Sequence, residues 1–337
     1  MEGSLNSLAL LANYIFVPGL AYGSQLALGA LGVTMIYAVL NFSNFSHGEI
    51  MSFGAMITIL VTYWFQGVGI SVHPLPTALI ALPAGIGGAI LLCLMLDRLV
   101  FSFYRRQRAN SVTYLIVSIG VMFVIGGITR FIIGPDDRNF NDGERFILKA
   151  RAFKEMTGLT EGVAIKSSQA ITIASAFIVV TAVFWFLSRT RTGKSMRAYS
   201  NNPDLALLSG IDPDRVVIIT WVITAGLAAI AGTLYGLDKS YKPLVFLHLV
   251  LPIFAAAIVG GVGSPLGAIF GGFVIAFSEL FLTFAYKKVA AYLLGDGVLG
   301  DGLLQLLSTD YKFAVSFLIL VIVLLIRPTG IFSGKSI

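Results

Sequence analysis

Residues 188–216 read SRTRTGKSMRAYSNNPDLALLSGIDPDRV, a basic and turn-rich island between two long apolar runs. Arg189, Arg191, Lys194, Arg197 and Arg215 outnumber Asp204, Asp212 and Asp214. A short loop with excess positive charge beside apolar spans belongs on the cytoplasmic side of a membrane. Within it the chain spells a short helix. Asn201 and Asn202 offer N-cap oxygens, Pro203 suits a first turn where its missing N–H costs nothing, Asp204 complements the helix dipole, and Gly210 can take a left-handed stop. The apolar residues of that helix are Leu205, Ala206, Leu207 and Leu208. So short a helix is unstable alone and is expected to pack against something. An ordinary solvated loop is the plainer alternative, and these residues by themselves leave both open.

The composition sets the class. Of 337 residues, 57% are hydrophobic and 12% charged, with a mean hydropathy of +0.88, which is not the balance of a soluble globular chain. The apolar runs have the length of helices crossing a hydrocarbon core of roughly 30 Å, whereas barrel strands would need only about ten alternating residues. The sequence therefore reads as an all-α integral membrane protein, one transmembrane domain over residues 1–337 with about eight crossing helices. The net charge of +6 is spread over short loops, so no nucleic acid is implied. Cys93 is the only cysteine, which excludes an intrachain disulfide and a cysteine-built metal site, and it reads as a small packing residue.

Along the chain, the run Leu8 to Leu40 lacks a basic leader and a cleavage site and is expected to stay in the mature protein. It is too long for one span, and Pro18, Gly19 and Gly23 predict a break after a short N-terminal helix. The next element, Ser24 to Phe65, is interrupted by NFSNFSHGE at residues 41–49. Unwound backbone at membrane depth is tolerable only against protein or a wet cavity, so Asn41, Asn44, Ser46, His47, Gly48 and Glu49 are candidates for a solute path. A cytoplasmic turn between two helices is the alternative. A second interruption, Gly260, Gly261, Gly263, Ser264 and Pro265, divides the apolar run Leu251 to Phe277. Interruptions at corresponding places in two halves predict an inverted repeat with a path between them, which adds Gly261, Gly263 and Ser264 to the candidates. A tight turn with Gly263, Gly267 and Gly271 as a small-residue seam explains the same glycines, and the two readings are compatible.

The loops orient the spans. Asp97, Arg98, Arg105, Arg106 and Arg108 mark a cytoplasmic loop after the span Pro76 to Leu96. The span Val112 to Ile133 then leads out to residues 134–168, whose six acidic and six basic residues cancel and which form the largest external excursion. Arg130 is expected to snorkel to the interface without a role of its own. The span Ala170 to Leu187 returns to residues 188–216, Val217 to Tyr235 leads out again, and Phe313 to Ile326 ends inside beside Arg327 and Lys335.

No driving reaction is encoded. TGKS at Thr192–Ser195 imitates the end of a phosphate-binding loop, but that motif needs glycine where Ser188 stands. No H-E-x-x-H occurs, and His47, His73 and His248 are scattered, so neither a metal nor a hydrolytic site is expected. An ion-coupled secondary transporter would use Glu49 or Glu279 as an intramembrane carboxylate. Glu49 can equally accept hydrogen bonds from N–H groups freed at the break.

Several stretches carry a resemblance. They are Gly193, Arg197, Ala198, Asn202, Ala206, Leu208, Gly210, Ile211, Arg215 and Val216; Asn44 to Glu49; Gly260 to Ala268; and RPTGIF at 327–332. Together these resemble permeases of the branched-chain amino acid ABC transporter family, LivH type, from about Ser24 to Gly330. The resemblance implies a type II ABC importer-like helical bundle with broken helices. It implies that Arg197, Asn202, Ala206, Leu207, Leu208, Gly210 and Arg215 dock an ATPase. It also implies no cofactor in this chain, with ATP and Mg held by two cytoplasmic ATPase subunits. A second homologous permease subunit would complete the path, and an extracytoplasmic substrate-binding protein would deliver neutral or branched-chain amino acids, with urea or short amides as the alternative cargo. The setting would be the lipid of a bacterial plasma (inner) membrane. The charged insert Asn139 to Lys166 and the glycine-rich segment Gly295 to Ser308 depart from the family pattern and fall on the external surface.

Overall fold

A bilayer leaves a crossing backbone only its own carbonyls to bond, so the apolar runs fold as helices. The computed structural model describes residues 2–140, 142–294, 304–327 and 329–332; most of the glycine-rich segment (295–303) and Lys335 lie outside the described residues. In chain order the helices are α1 (Glu2–Leu40), α2 (His47–Gly67), α3 (Ala78–Arg106), α4 (Ser111–Ile133), the short external α5 (Ala150–Thr157) and α6 (Ser167–Arg189). Then come α7 (Arg191–Asn201), α8 (Pro203–Leu208), α9 (Pro213–Lys239), α10 (Val245–Gly260), α11 (Pro265–Thr283), α12 (Lys287–Leu294) and α13 (Lys312–Ile326). Two short strands, β1 (Phe146–Leu148) and β2 (Ile165–Lys166), pair within the external loop.

Seven helices are long and apolar enough to cross a membrane by length and composition, and the shorter apolar α10 and α13 would bring the crossings to nine among the described residues. The extra crossing arises because residues 251–277 are two antiparallel helices, α10 and α11, joined by a tight turn. Their backbones nearly touch. A Cβ on Gly271 would stand 2.0 Å from the Ala256 carbonyl oxygen, and one on Gly260 would stand 2.0 Å from that of Gly267. Gly263 has open space around it, so the seam runs through Gly260, Gly267 and Gly271.

The expected break at Pro18 is absent, and α1 is continuous. A π-helical turn over Ala12–Phe16 precedes Pro18, which therefore sits at the start of a fresh α-helical stretch, where it needs no N–H bond. Gly19 and Gly23 serve close approach instead, since a Cβ at either would strike the ring of Phe277 or Phe273 on α11.

The bundle is an inverted repeat. α1 lies along α11 as α9 lies along α3; α2 packs on α3 and α4 as α10 packs on α11 and α13. The lone crossing of α6 between the two units turns the second upside down. Matching details support the pairing. α1 ends at Asn41 (φ 54°) and α9 at Ser240 (φ 82°), both non-glycine residues in the left-handed region, each followed by a buried aromatic, Phe42 or Tyr241. The contacts Thr58–Gly85 and Gly54–Ala89 repeat as Gly260–Gly267 and Ala256–Gly271. This corrects the expectation that the two sequence interruptions are equivalent. Inversion exchanges faces, so the inner break at 41–46 matches the outer connection at 240–244, and the inner turn at 261–264 matches the outer loop at 68–77.

The seam gives a stability test. Gly271→Ala forces the α10–α11 backbones apart and is expected to cost about 1–3 kcal/mol. Gly120→Ala, with nothing within 4 Å, is expected to be neutral or slightly stabilising, because alanine is the better helix former. Thermal unfolding of the detergent-solubilised protein should move the two variants in different directions.

Candidate functional site

Residues 190–210 build a two-helix element. The Thr190 hydroxyl accepts the N–H of Gly193 at 3.0 Å and starts α7. Gly193 lets α7 fold back onto the end of α6, since a Cβ there would lie 2.2 Å from the Phe186 carbonyl oxygen. Met196 is buried beneath it. Asn202 then caps α8 by accepting the Leu205 N–H at 3.0 Å, Pro203 opens it, and Gly210 ends it at φ +77° while Ile211 N–H returns to the Ala206 carbonyl at 3.0 Å. Asp212 accepts from the N–H of Asp214 at 3.0 Å, starting α9, and pairs with the exposed Arg215 at 3.2 Å.

The apolar residues of α8 divide. Ala206 is buried against the chain, while Leu205, Leu207 and Leu208 are exposed by 60%, 50% and 85%. Arg197 lines a small cavity with Leu187, Ser264 and Pro265, which places the element beside the 261–264 turn. The sequence reading missed α7, although Thr190 three residues before Gly193 is a cap signal. TGKS lies inside α7, where it forms no phosphate loop. Tyr199 on α7 faces Arg105 of α3, and partial burial outweighs that neighbour in pushing its phenol up.

The 41–49 interruption brings its polar groups together inside the protein. A Cβ on Gly32, two turns before the end of α1, would meet the ring of His47, so the chain doubles back and re-enters beside α1. Asn41 stays exposed at the cytoplasmic end, its carbonyl accepting from Ser111 Oγ at 3.1 Å. Asn44, Ser46, His47 and Glu49 are each at most 2% exposed. Asn44 Oδ1 accepts from the Ser46 N–H (3.2 Å) and hydroxyl (2.6 Å), and Ser118 accepts from the Phe45 N–H at 3.1 Å. Gly48 allows α2 to approach the α10 backbone, for a Cβ would lie 2.6 Å from the Phe246 carbonyl oxygen. The Asn44 amide nitrogen and one oxygen of Glu49 have no hydrogen-bond partner among the described residues, and the buried His47 ring has the Gly29 backbone beside it.

Two expectations change here. The N–H groups freed at the reversal are taken by Asn44, just before α2, and by Ser118 of α4 rather than by Glu49. Glu49 faces Arg130 instead, with Oε1 3.9 Å from Nη1, so Arg130 does not simply snorkel but partners a buried carboxylate.

The second interruption is a tight turn between α10 and α11 beside the α7–α8 element. Ser264 Oγ accepts from the Gly267 N–H at 3.2 Å and caps α11. The tail straps the turn, as Ile331 and Phe332 donate to the carbonyls of Val259 (2.8 Å) and Gly260 (3.0 Å). Gly261, at φ +112°, must be glycine because the Phe332 carbonyl occupies its Cβ position. Ser264 thus lines a cavity with Arg197 and Gly261 packs against the tail, rather than joining Asn44, His47 and Glu49. On the outer face, a cavity of about 510 Å³ is lined by both signs of charge, including Asp142, Glu144, Arg145, Lys166 and Asp238.

The family model for the branched-chain amino acid transport system, permease component, matches residues 15–324. The chain belongs to that family. The high-affinity branched-chain amino acid transport system permease protein LivH of Escherichia coli (strain K12) is 30% identical over 319 residues, covering 93% of this chain and 92% of LivH. BraD of Pseudomonas aeruginosa is 30% identical over 325 residues, 94% of each chain, and a probable LivH of Methanocaldococcus jannaschii is 27% identical over 321 residues. The protein is accordingly a multi-pass membrane permease component and not an enzyme.

The Glu49–Arg130 pair yields a test by double-mutant cycle. Arg130→Gln strands a buried carboxylate and is expected to cost about 2 kcal/mol, below the range for fully buried pairs because Arg130 keeps some water access. Glu49→Gln in the same chain should restore more than half of the loss. Additive losses in thermal unfolding would show that the two side chains do not interact.

Proposed function

We propose that this chain is the permease subunit of an ATP-driven importer, forming half of a path for neutral or branched-chain amino acids. A second homologous permease forms the other half, two cytoplasmic ATPase subunits supply ATP and Mg chemistry, and an extracytoplasmic binding protein delivers cargo to the 134–168 face. The observation that carries this reading, beside family membership, is α8. Three leucines projecting into water from a helix capped at both ends, amid charged residues, form a surface that needs a partner. Asn202, Pro203 and Gly210 fix the pose of α8, and the buried Ala206 anchors it. A carrier driven by ion binding at Glu49 has no use for such an element.

Within the membrane, the reversal supports a role in the path. Its buried amide, imidazole and carboxylate groups, with the Asn44 amide nitrogen and a Glu49 oxygen left without partners, offer donors and acceptors where lipid offers none, which suits a polar solute or the water that accompanies it.

Leu208→Asp is expected to weaken ATPase co-purification by about tenfold or more, since it places a charge where a desolvated apolar contact is required. Met156→Asp, on the external face, should leave it unchanged. Equal retention of ATPase by both variants would contradict the docking role of α8. Cargo is read separately, in proteoliposomes holding the full complex and its binding protein. Leucine uptake should be competed by isoleucine and valine but not by urea, and competition by urea would assign the short-amide alternative.

A further inference from the structure

The inverted repeat places a carboxylate at equivalent points on opposite faces. Taking the caps Asn41 and Ser240 as equivalent, Tyr22 and Trp221 fall at the same spacing before them. Taking Gly85 and Gly267 as equivalent, Asp97 and Glu279 fall at the same spacing after them. The structure brings these residues together in matching pairs. Trp221 Nε1 donates to Asp97 Oδ1 at 2.9 Å on the cytoplasmic side, and Tyr22 lies beside Glu279 on the external side. Each carboxylate also has a cation: Arg105 for Asp97, and Lys312, 3.4 Å away, for Glu279. Both are buried pins between the first helix of one unit and the third helix of the other.

The two copies differ in partners and surroundings. Arg105 grips Asp97 with both terminal nitrogens, at 2.8 and 3.2 Å, whereas Glu279 is held by the Ser316 hydroxyl and by Lys312. Arg105 also lines a groove with Asp214 of the first turn of α9 and faces Tyr199 of α7. Asp97 and Phe101 bracket a π-helical turn in α3, which keeps both directed at α9. From there packed rings run inward: Trp221 stacks on Phe101 at 5.2 Å, Phe101 on Phe42 at 5.4 Å, and Phe42 on Tyr114 at 4.8 Å. Phe42 belongs to the reversal that holds Asn44, His47 and Glu49.

We infer that Asp97 is a positioning residue that joins the cytoplasmic two-helix element to the reversal, through Arg105 on one side and Trp221, Phe101 and Phe42 on the other. The inference rests on α7–α8 being the ATPase surface, and it adds the route by which movement there reaches the membrane interior. A bidentate guanidinium pair holds direction as well as distance, and packed rings shift together rather than yield singly. The external copy meets no such element and serves only to pin.

The test uses the assembled complex with a single reporter cysteine, Ser43→Cys beside Phe42, in a Cys93→Ala background. N-ethylmaleimide labelling is compared between the nucleotide-free and the vanadate-trapped complex. With Asp97 present, the two rates should differ by about fivefold or more, the lower bound of ordinary coupling between sites. Asp97→Asn and Phe101→Leu should bring them within about twofold of each other while ATPase co-purification and hydrolysis persist, a result that general destabilisation does not produce. Trp221→Phe, which keeps the ring stack but removes the N–H donor, should give an intermediate ratio. Persistent nucleotide dependence in Asp97→Asn and Phe101→Leu, or none in the complex carrying Asp97, would overturn the joint. Loss of ATPase co-purification before any of these substitutions would count against the docking surface itself and take the joint with it.

Discussion

In a bilayer, helices gain no hydrophobic drive from meeting one another, so they associate by close packing of small residues and by polar contacts. This fold depends on the first of these. The α10 and α11 backbones touch at Gly260, Gly267 and Gly271, Gly272 of α11 lets the Ala27 backbone of α1 approach, and Gly232 of α9 abuts Met51 of α2. These contacts place α1 and α9 side by side at the centre, with Tyr22 and Trp221 among the largest fully buried side chains. The repeats are held by backbone proximity, and the polar groups are fitted around it.

That arrangement explains how so many polar side chains survive inside. Threonines along α2 and α9 bond back to their own helices, as Thr58 does to Gly54 and Thr220 to Val216, at 3.0 and 2.8 Å. Where helices of the two units cross, hydroxyls meet, as Thr233 and Thr58 do at 3.1 Å. The reversal at 41–49 stands apart because the Asn44 amide nitrogen and a Glu49 oxygen find no partner among the described residues. A buried polar group without a partner is costly, and such cost concentrates where a protein handles something polar.

Much of this was legible in the residues because it is local. The spans follow from hydropathy, and the caps of α8 follow from Asn202, Pro203 and Gly210, since capping acts over a few residues. The reversal was visible as polar residues between apolar flanks. What stayed hidden depends on partners distant in sequence. Glycines at 260–271 read equally as an interruption within one span or as a hairpin, and only the facing backbone decides. Pro18 reads as a break unless the preceding π-helical turn is known. Glu49 finds Arg130, and Asp97 finds Trp221, only after the helices pack. The inversion itself was sensed from two interruptions that are not equivalent, while the residues that are equivalent, Asn41 with Ser240 and Asp97 with Glu279, differ in type.

The central claim is that the two four-helix units are inverted in the membrane, with the first beginning outside and the second inside. Single cysteines at Ser4 and Arg215, both exposed near the starts of those units, in a chain lacking Cys93, test it with a membrane-impermeant maleimide. In right-side-out vesicles Ser4→Cys should label and Arg215→Cys should not, and inside-out vesicles should reverse the pattern. Labelling of both positions from the same side would contradict the inverted repeat and the account built on it.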